Sequence, residues 1–499
     1  MNITYLGHAG WFIETDDVKI LCDAWNSKNP AFYNSWYVYP FNDHLNWNKY
    51  LDIDVLYVSH LHKDHFDENT LKLINKDVEV IVPKFRENRL INKYKELGFK
   101  NFTMGEMVVG NTKINTYVSE TIDRMMEDSM ILVSDGDKTF LNMNDAELLD
   151  DIQKEIQSLY PSIDMLTLQF SGANWYPHCY ENYNDDEIKT ISKSFRDKSV
   201  ENFTRVSEIL QAKKVITSAG PPAFLDDELL YANDYGDGWS RFPDPWQVDF
   251  EMDNLYKILP GYEFNYENIQ SQERIDLDKK EYILTNRDRV KSNTNIDFDY
   301  DASKNKFMDK MKDILRSGRW LRRFINVNVY IDVTDNIFEI NFEKGTIKIV
   351  DQEPTENYYL VRIPQDIFCD LVDTDEFDWE IAFLSCRCKF KRNPDMFNAW
   401  ILSFFRNLDK DLLRNIKMEL AKKDSGSPTD EEYFEAKGCK IQKFCPHMKY
   451  DLEIHGEIDD EKNTIKCMGH CWEWDLETGE GLNTSKNLKI KREMVNETN

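Results

Sequence analysis

The 499-residue chain has no apolar run near the ~20 residues a membrane-spanning helix requires, so no transmembrane anchor is expected. Its opening, Met1-Asn2-Ile3-Thr4-Tyr5-Leu6-Gly7-His8, lacks a basic stretch and a cleavable apolar segment, so no secretory leader is expected either. Positive charge is scarce: 62 Lys and Arg face 90 Asp and Glu, for a formal net charge of −28. Without a basic excess to displace counterions, a nucleic-acid partner held by phosphate neutralisation is not expected. An anionic small molecule would need a local cationic pocket working against the global field. The nine cysteines are odd in number and scattered, unlike a secreted disulfide scaffold. The cytoplasm is the expected compartment, and no internal repeat stands out.

What is present is the composition of a folded chain: 41% hydrophobic, 13% aromatic and 30% charged. The length calls for two to three domains. Over residues 1–250, short apolar strands alternate with helical stretches. Ile3–Leu6, Trp11–Glu14 and Lys19–Cys22 read as strands, and Val55–Val58 and Val78–Val82 as strands buried in a sheet. Glu147–Leu159 and Val200–Ala212 read as helices, and such alternation suits sheets covered by helices. The passage Tyr235–Trp246 is either a domain edge or a loop lining a site.

Residues 251–424 read as a separate α+β domain. Lys304–Ile314 and Pro394–Asn407 are expected to be helical, and Val327, Val329, Ile331 and Val333 alternate as in a half-buried strand. Phe338–Phe342 and Thr346–Val350 form a hairpin pattern around Lys344-Gly345. Arg316, Arg319 and Arg323 share one face if that stretch is helical, and with Trp320 offer either an anion site or a solvated basic face. Cys386-x-Cys388 is expected to lie on a strand passing through the core. The polar stretch 422–429 is a linker, and residues 430–499 form a compact tail that needs support beyond its own small core.

Two constellations carry chemistry. In the first, the buried strand ending at Val58-Ser59 runs into His60-Leu61-His62-Lys63-Asp64-His65. Extended backbone puts His60, His62 and Asp64 on one side, and a turn can bring His65 round. Imidazole and carboxylate suit zinc, iron or manganese. Three of the nine histidines in one hexapeptide argue against a merely solvated turn. HxHxDH after an apolar strand resembles the metallo-β-lactamase superfamily. There the first two histidines serve one metal, the Asp–His pair serves a second, and a later aspartate bridges them. Asp145, closing Thr139-Phe140-Leu141-Asn142-Met143-Asn144-Asp145, matches the bridging position. The resemblance implies His60, His62, Asp64, His65 and Asp145 as metal ligands, with Asp64, His65 and Asp145 catalytic. His8 and Asp23 match early superfamily positions and are expected to support the ligands.

Two further superfamily histidines have no counterpart at their usual places. Glu120, Asp123 and Glu127 within 117–128 offer a carboxylate in place of one. Near the other, Thr217-Ser218-Ala219-Gly220-Pro221-Pro222 has no histidine. His178, in Trp175-Tyr176-Pro177-His178, is the candidate metal-ligand stand-in, against a hydrogen-bonded loop histidine.

The second constellation is Cys445-Pro446-His447 followed by Cys467-Met468-Gly469-His470. Two thiolates and two imidazoles in this order resemble the Rieske [2Fe–2S] pattern, in which neutral imidazoles raise the reduction potential. The alternative is a structural Cys₂His₂ zinc site. The following Trp474-Asp475-Leu476-Glu477-Thr478-Gly479 resembles the strand and turn after the second Rieske ligand pair, and favours the cluster. Cys445, His447, Cys467 and His470 are the expected cluster ligands.

Ser171-Gly172-Ala173-Asn174-Trp175-Tyr176-Pro177, Phe377-Asp378-Trp379-Glu380 and Phe390-Lys391-Arg392-Asn393-Pro394-Asp395 resemble the CMP-N-acetylneuraminate hydroxylase family. That family also pairs a Rieske centre with a metallo-β-lactamase-like domain, although there the Rieske centre comes first. Residues 327–405 also resemble a sterol-carrier-type domain. The expected architecture is an α/β metallo-β-lactamase αββα sandwich, a middle α+β domain and a small all-β Rieske domain. The resemblance implies a Rieske-dependent non-haem iron monooxygenase hydroxylating a small anionic substrate such as a nucleotide sugar. Its electrons would come from a reductase, ferredoxin or cytochrome. The alternatives are a metal-dependent hydrolase, with zinc rather than iron and an accessory Rieske domain, and a non-catalytic electron carrier.

Overall fold

The computed structural model describes residues 1–121, 126–172, 174–234, 236–248, 251–264, 266, 279–290, 298–334, 336–424, 432–446, 452–460, 462–467, 472–484 and 486–492. Two compact units divide the chain. The first is Met1–Thr121, Met126–Asp297 and Ile381–Lys389; the second is formed chiefly by Phe298–Glu380 and Phe390–Asn499.

The first unit contains two seven-stranded sheets. One runs in the order Glu263–Phe264, Asn2–Gly7, Gly10–Glu14, Lys19–Cys22, Val55–Tyr57, Glu79–Val82, Asn101–Met104. The other runs Leu255–Tyr256, Val215–Ser218, Met165–Gln169, Thr139–Asn142, Met126–Ser134, Thr112–Thr121, Glu106–Val109. Strand alternation decides where each side chain goes. Ile13, Ile20, Val55, Tyr57 and Ile81 of one sheet share a buried core with Ile131, Val133, Phe140, Met165 and Ile216 of the other. The intervening Leu21, Leu56, Val58 and Val80 pack outward with Leu71, Leu90 and Tyr94 of the helices Glu68–Leu73 and Arg89–Glu96. Leu132, Leu141 and Leu166 do the same with Ile152, Ile156, Phe203 and Val206 of Asp150–Leu159 and Asp185–Ile209. The strands are therefore apolar on both faces, which is why they read as continuous hydrophobic runs. This is the αββα sandwich of a metallo-β-lactamase fold.

The long helix Asp185–Ile209 starts where it does because of a capping box. Asn184 accepts from the Asp186 and Glu187 amides, and Glu187 accepts the Asn184 amide in return. Asp185, Asp186 and Glu187 add negative charge at the positive end of its dipole. The passage containing Trp239 and Phe242 carries no helix or strand among its described residues.

In the second unit a five-stranded sheet runs Thr346–Val350, Asn336–Asn341, Asn328–Val333, Tyr358–Arg362, Lys389–Asn393. The helices Tyr300–Ser317, Gln365–Asp373 and Ala399–Arg406 belong to the same unit. The hairpin about Lys344-Gly345 pairs Phe338 with Ile349 and Ile340 with Ile347. Two three-stranded sheets make a small all-β region at the C-terminal end: Tyr433–Ala436, Cys439–Gln442, Ile490–Arg492, and Gly456–Asp459, Thr464–Cys467, Glu473–Asp475.

Three sequence expectations are corrected. Pro394 to Asn398 is not helical; the helix starts at Ala399, capped by Asn398 accepting the Trp400 amide. The α-helix carrying Arg316 stops at Ser317, and a 3₁₀ turn over Arg319–Arg323 breaks the shared face expected for the three arginines. Cys386 lies in a turn at φ +58°, not on a strand, because it follows directly on the short helix Glu380–Leu384.

Candidate metal centre and iron–sulfur region

Several loops of the first unit leave the carboxyl ends of parallel strands, where α/β sheets place their ligands. Asp23 follows Lys19–Cys22, the His60–His65 segment follows Val55–Tyr57, Asp145 follows Thr139–Asn142, and Ala219 follows Val215–Ser218. After Val58 the chain turns: the amides of His65 and Phe66 both donate to the His62 carbonyl, at 3.0 and 2.7 Å. That turn folds His65 back toward His60, with ring centroids 4.2 Å apart.

Two groups of metal-capable side chains result, each with its ligand atoms within 4.8 Å of one another: His60, His62 and Asp145, and His8, Asp64 and His65. His60 Nε2 and His62 Nδ1 are 2.8 Å apart, and His8 Nε2 is 2.9 Å from Asp64 Oδ2. His65 Nε2 lies 3.7 Å from Asp64 Oδ2 and 3.6 Å from Asp145 Oδ1, so it stands between the groups.

The histidines are held from behind. Ser59 Oγ is 2.9 Å from His60 Nδ1 and 3.1 Å from His65 Nδ1, while Asp23 Oδ1 accepts the Ser59 amide at 2.8 Å. Fixing Nδ1 turns Nε2 of both rings inward, the role such supporting contacts play in metal sites. Ser129, from the opposite sheet, donates to the Ser59 carbonyl at 2.7 Å. His8 sits at φ +53°, its carbonyl accepting from the Ala219 amide (2.9 Å), Ser218 Oγ (3.2 Å) and Tyr5 Oη (3.3 Å). The histidine-free 217–220 loop therefore contributes by positioning His8.

Asp128 is the carboxylate that sequence reasoning missed. It is buried on Met126–Ser134, with Oδ1 3.4 Å from His60 Nδ1. Of the carboxylates named instead, Glu127 is paired with Arg89 at 2.9 Å, the Glu120 side chain is not described, and Asp123 lies outside the described residues. A signal was available: Asp128 abuts the apolar run Met130-Ile131-Leu132-Val133, much as His60 abuts Val55–Val58. His8 lies nearer the centre than a supporting role implied.

His178 belongs to neither group. Its Nε2 is 2.7 Å from the Trp239 carbonyl, and its ring packs near Tyr231 and Phe242. Burial lowers it to about 4, and Arg241 and Lys389 push the same way, so it is a neutral, hydrogen-bonded histidine.

Charge fits a cation. Burial alone would raise the Asp64 carboxyl, but His65, His8 and His62 override it and hold it well below the usual carboxylate range. Burial opposes protonation of His65, yet Asp64, Asp145 and Asp23 push it well above its ordinary value. Asp128 is forced upward by burial and by repulsion from Asp145. His8 Nδ1, Asp23 Oδ2, Asp64 Oδ1, His65 Nε2 and Asp145 Oδ1 are buried without hydrogen-bond partners. Orphaned buried acceptors are costly, and a divalent ion would satisfy several at once. The donor set fits iron or zinc.

In the C-terminal region Cys445 and Cys467 are fully buried in one small core with Trp474 and Leu476. His447 and His470 lie outside the described residues. The Asp-Leu-x-Thr-Gly pattern has a structural reason. Asp475 Oδ1 accepts from the Glu477 amide (2.9 Å), the Thr478 amide (2.7 Å) and Thr478 Oγ1 (2.9 Å). Gly479 then adopts φ +75°, where any Cβ would meet the Leu488 carbonyl.

Fold and site together define a metallo-β-lactamase-fold protein with a C-terminal Rieske domain. Family models match as a beta-lactamase superfamily domain over residues 2–143, an Rv3818-like, SCP2-like domain over 304–422 and a Rieske [2Fe-2S] domain over 433–492. A Rieske 2Fe-2S iron-sulfur protein of Mycolicibacterium smegmatis is 30% identical over 541 residues, covering 97% of this chain and 98% of the relative. The chain belongs to that family of Rieske iron–sulfur proteins. The inactive cytidine monophosphate-N-acetylneuraminic acid hydroxylase of Homo sapiens is 36% identical over 74 residues, 14% of either chain. Among solved structures, an isothiocyanate hydrolase from Delia radicum gut bacteria is similar at TM-score 0.36 and 14% identity, covering 53% of this chain and 99% of that one.

Proposed function

We propose that this protein is a Rieske-dependent non-haem iron monooxygenase that hydroxylates a small anionic substrate such as a CMP-N-acetylneuraminate-like nucleotide sugar. The observation that carries the reading is the cluster of His8, His60, His62, Asp64, His65, Asp128 and Asp145 in a chain that also holds a Rieske domain. A redox centre in the same chain as a carboxylate-rich metal site has a use if that site does redox work.

In this reading His60, His62 and Asp145 hold one ion, His8, Asp64 and His65 hold a second, and Asp128 backs His60 at Nδ1. Cys445, His447, Cys467 and His470 hold the cluster. When bound, the cluster supplies single electrons and the iron supplies the place where dioxygen reacts. The chain's own residues keep the rings oriented through Ser59 and Asp23 and keep Asp64 ionised. The electron donor is a reductase, ferredoxin or cytochrome. The cytoplasm is the proposed compartment, and among the described residues no helix is long and apolar enough to cross a membrane. The substrate class rests on the short match to the sialic acid hydroxylases.

A second reading is a metal-dependent hydrolase with an accessory Rieske domain, favoured by the same HxHxDH order and a donor set that zinc also accepts. One experiment separates the two. Protein purified anaerobically is analysed for iron, zinc and acid-labile sulfide, then by EPR before and after reduction, with oxygen uptake followed on adding reductant. Iron in both regions and reductant-dependent uptake support the oxygenase. Zinc alone in the N-terminal site, with substrate turnover indifferent to loss of the cluster, overturns it.

A further inference from the structure

Cys179 and Cys386 are 207 residues apart in sequence, yet Cys179 Sγ lies 3.5 Å from the Cys386 carbonyl oxygen, and both residues are buried. Each thiol also bears on the other's ionisation, lowering Cys179 and raising Cys386. Neither belongs to the metal cluster or the Rieske region. Cys386 is brought there by Ile381–Lys389, a segment that packs within the first unit although the chain on either side of it belongs to the second.

The segment is firmly seated. Trp36 Nε1 donates to the Leu384 carbonyl at 2.7 Å, Phe383 packs edge-on to Trp175 at 5.4 Å, and Arg387 pairs with Asp226 and donates to the Tyr33 carbonyl at 3.3 Å. Opposite, the Cys179 amide donates to the Trp175 carbonyl at 2.9 Å, so a turn fixes the other sulfur. Both sulfurs are thus placed by rigid surroundings.

Cys388, two residues on, has its thiol 3.6 Å from the Ala382 carbonyl, within its own segment. The setting also favours thiolate chemistry. The hydrogen bond from Cys386 outweighs burial at Cys179 and lowers its thiol, with help from Lys389. Arg241 is buried, packs over Phe195 at 4.1 Å, and leaves Nε without a partner. A thiol whose ionisation is eased, packed against the residue that carries a second thiol, is the arrangement of a reactive dithiol. Burial shuts out bulky reagents, whereas hydrogen peroxide is hardly larger than water.

We infer that Cys179 and Cys386 are a peroxide-oxidisable dithiol whose disulfide staples the Ile381–Lys389 segment to the Trp175–Cys179 turn. The Cys179 thiolate attacks one peroxide oxygen, the O–O bond breaks, and hydroxide leaves, giving a sulfenic acid. The Cys386 thiol, held protonated by Cys179 and by burial, then attacks that sulfur as its proton passes to the departing oxygen; the S–O bond breaks and water leaves. The hydroxide of the first step takes up the proton Cys179 lost, so two thiols and one hydrogen peroxide give one disulfide and two waters. Any thiol reductant reverses the step.

The test uses the full wild-type chain with its cofactors, treated with hydrogen peroxide in the presence of a chelator. It is then alkylated under denaturing conditions, digested without reductant and mapped by mass spectrometry. The expected result is a Cys179–Cys386 cross-linked peptide pair that disappears on prior dithiothreitol treatment. In Cys179→Ser the cross-link is absent and Cys386 is recovered alkylated. Recovery of both wild-type cysteines as alkylated thiols, as separate sulfinic acids, or of Cys386 joined to Cys388, overturns the proposal. Because the readout is a covalent bond in the wild type, it stands apart from whether the chain is an oxygenase.

Discussion

His8 Nε2 stands 2.9 Å from Asp64 Oδ2, so the turn between the first two strands closes directly onto the metal-capable loop 56 residues later. The contact ties the edge-side hairpin of one sheet to the middle of the same sheet, and it leaves Asp64 Oδ1 buried and unpaired. His8→Ala is expected to lower metal affinity in the N-terminal domain about 10- to 100-fold, the usual cost of losing a group that holds or orients a ligand. Metal retained after dialysis against graded chelator, read by elemental analysis alongside the melting temperature, checks this. Retention equal to wild type would assign His8 a purely packing role.

The residues proposed to hold the cluster and those proposed to hold the N-terminal metal fall in separate units of the chain, so their loss is expected to be separable. Cys467→Ser should abolish the visible Rieske spectrum while leaving N-terminal metal content unchanged, and Asp145→Asn should do the reverse. Absorbance and metal analysis on both variants suffice. Loss of the visible spectrum in Asp145→Asn would break the separation.

Buried His178 titrates at about 4 instead of its ordinary 6.5, chiefly because burial disfavours the charged ring. A depressed folded-state value means that the unfolded chain binds the proton first as pH falls. The stability this neutral ring supports is complete above pH 6.5 and drains away between pH 6.5 and 4. The loss is about 3 kcal/mol. In His178→Gln that part of the acid sensitivity should vanish. Urea midpoints at pH 7, 5.5 and 4.5 measure it, and an unchanged slope in the variant would contradict the assignment.

Gly220 occupies φ +134°, and a Cβ there would stand 2.7 Å from the Ser171 carbonyl oxygen. Neither strain has room to relax, because the neighbouring Ala219 amide is holding the His8 carbonyl at 2.9 Å. Gly220→Ala should cost about 1–3 kcal/mol and weaken metal retention in parallel. A variant that unfolds at the wild-type midpoint would show that the loop can yield.

Local patterns made parts of the fold and site legible. The apolar run ending at His60 and the strand ending before Asp145 announce themselves, because a buried strand followed by metal-capable residues is a feature of adjacent positions. Asp128 and His8 were harder, since their importance depends on which strands pair across two sheets. A carboxylate beside a hydrophobic run looks like any strand end until the opposite sheet puts His60 3.4 Å away. Arg316, Arg319 and Arg323 misled for the opposite reason: their spacing is helical, but Gly318 caps the helix between them. His447 and His470 were named from the Cys-x-His and Cys-x-x-His spacing and lie outside the described residues.

The excursion of Ile381–Lys389 bears on how this polypeptide can be divided. A truncation ending before residue 298 would forfeit the stretch that occupies Trp36 and Asp226, exposing an indole and stranding a carboxylate. Residues 298–380 behave instead as an insertion within the first unit's sequence. Shuffling the amino-terminal module onto another partner would therefore require carrying along a short piece encoded far downstream, which favours keeping the whole gene together.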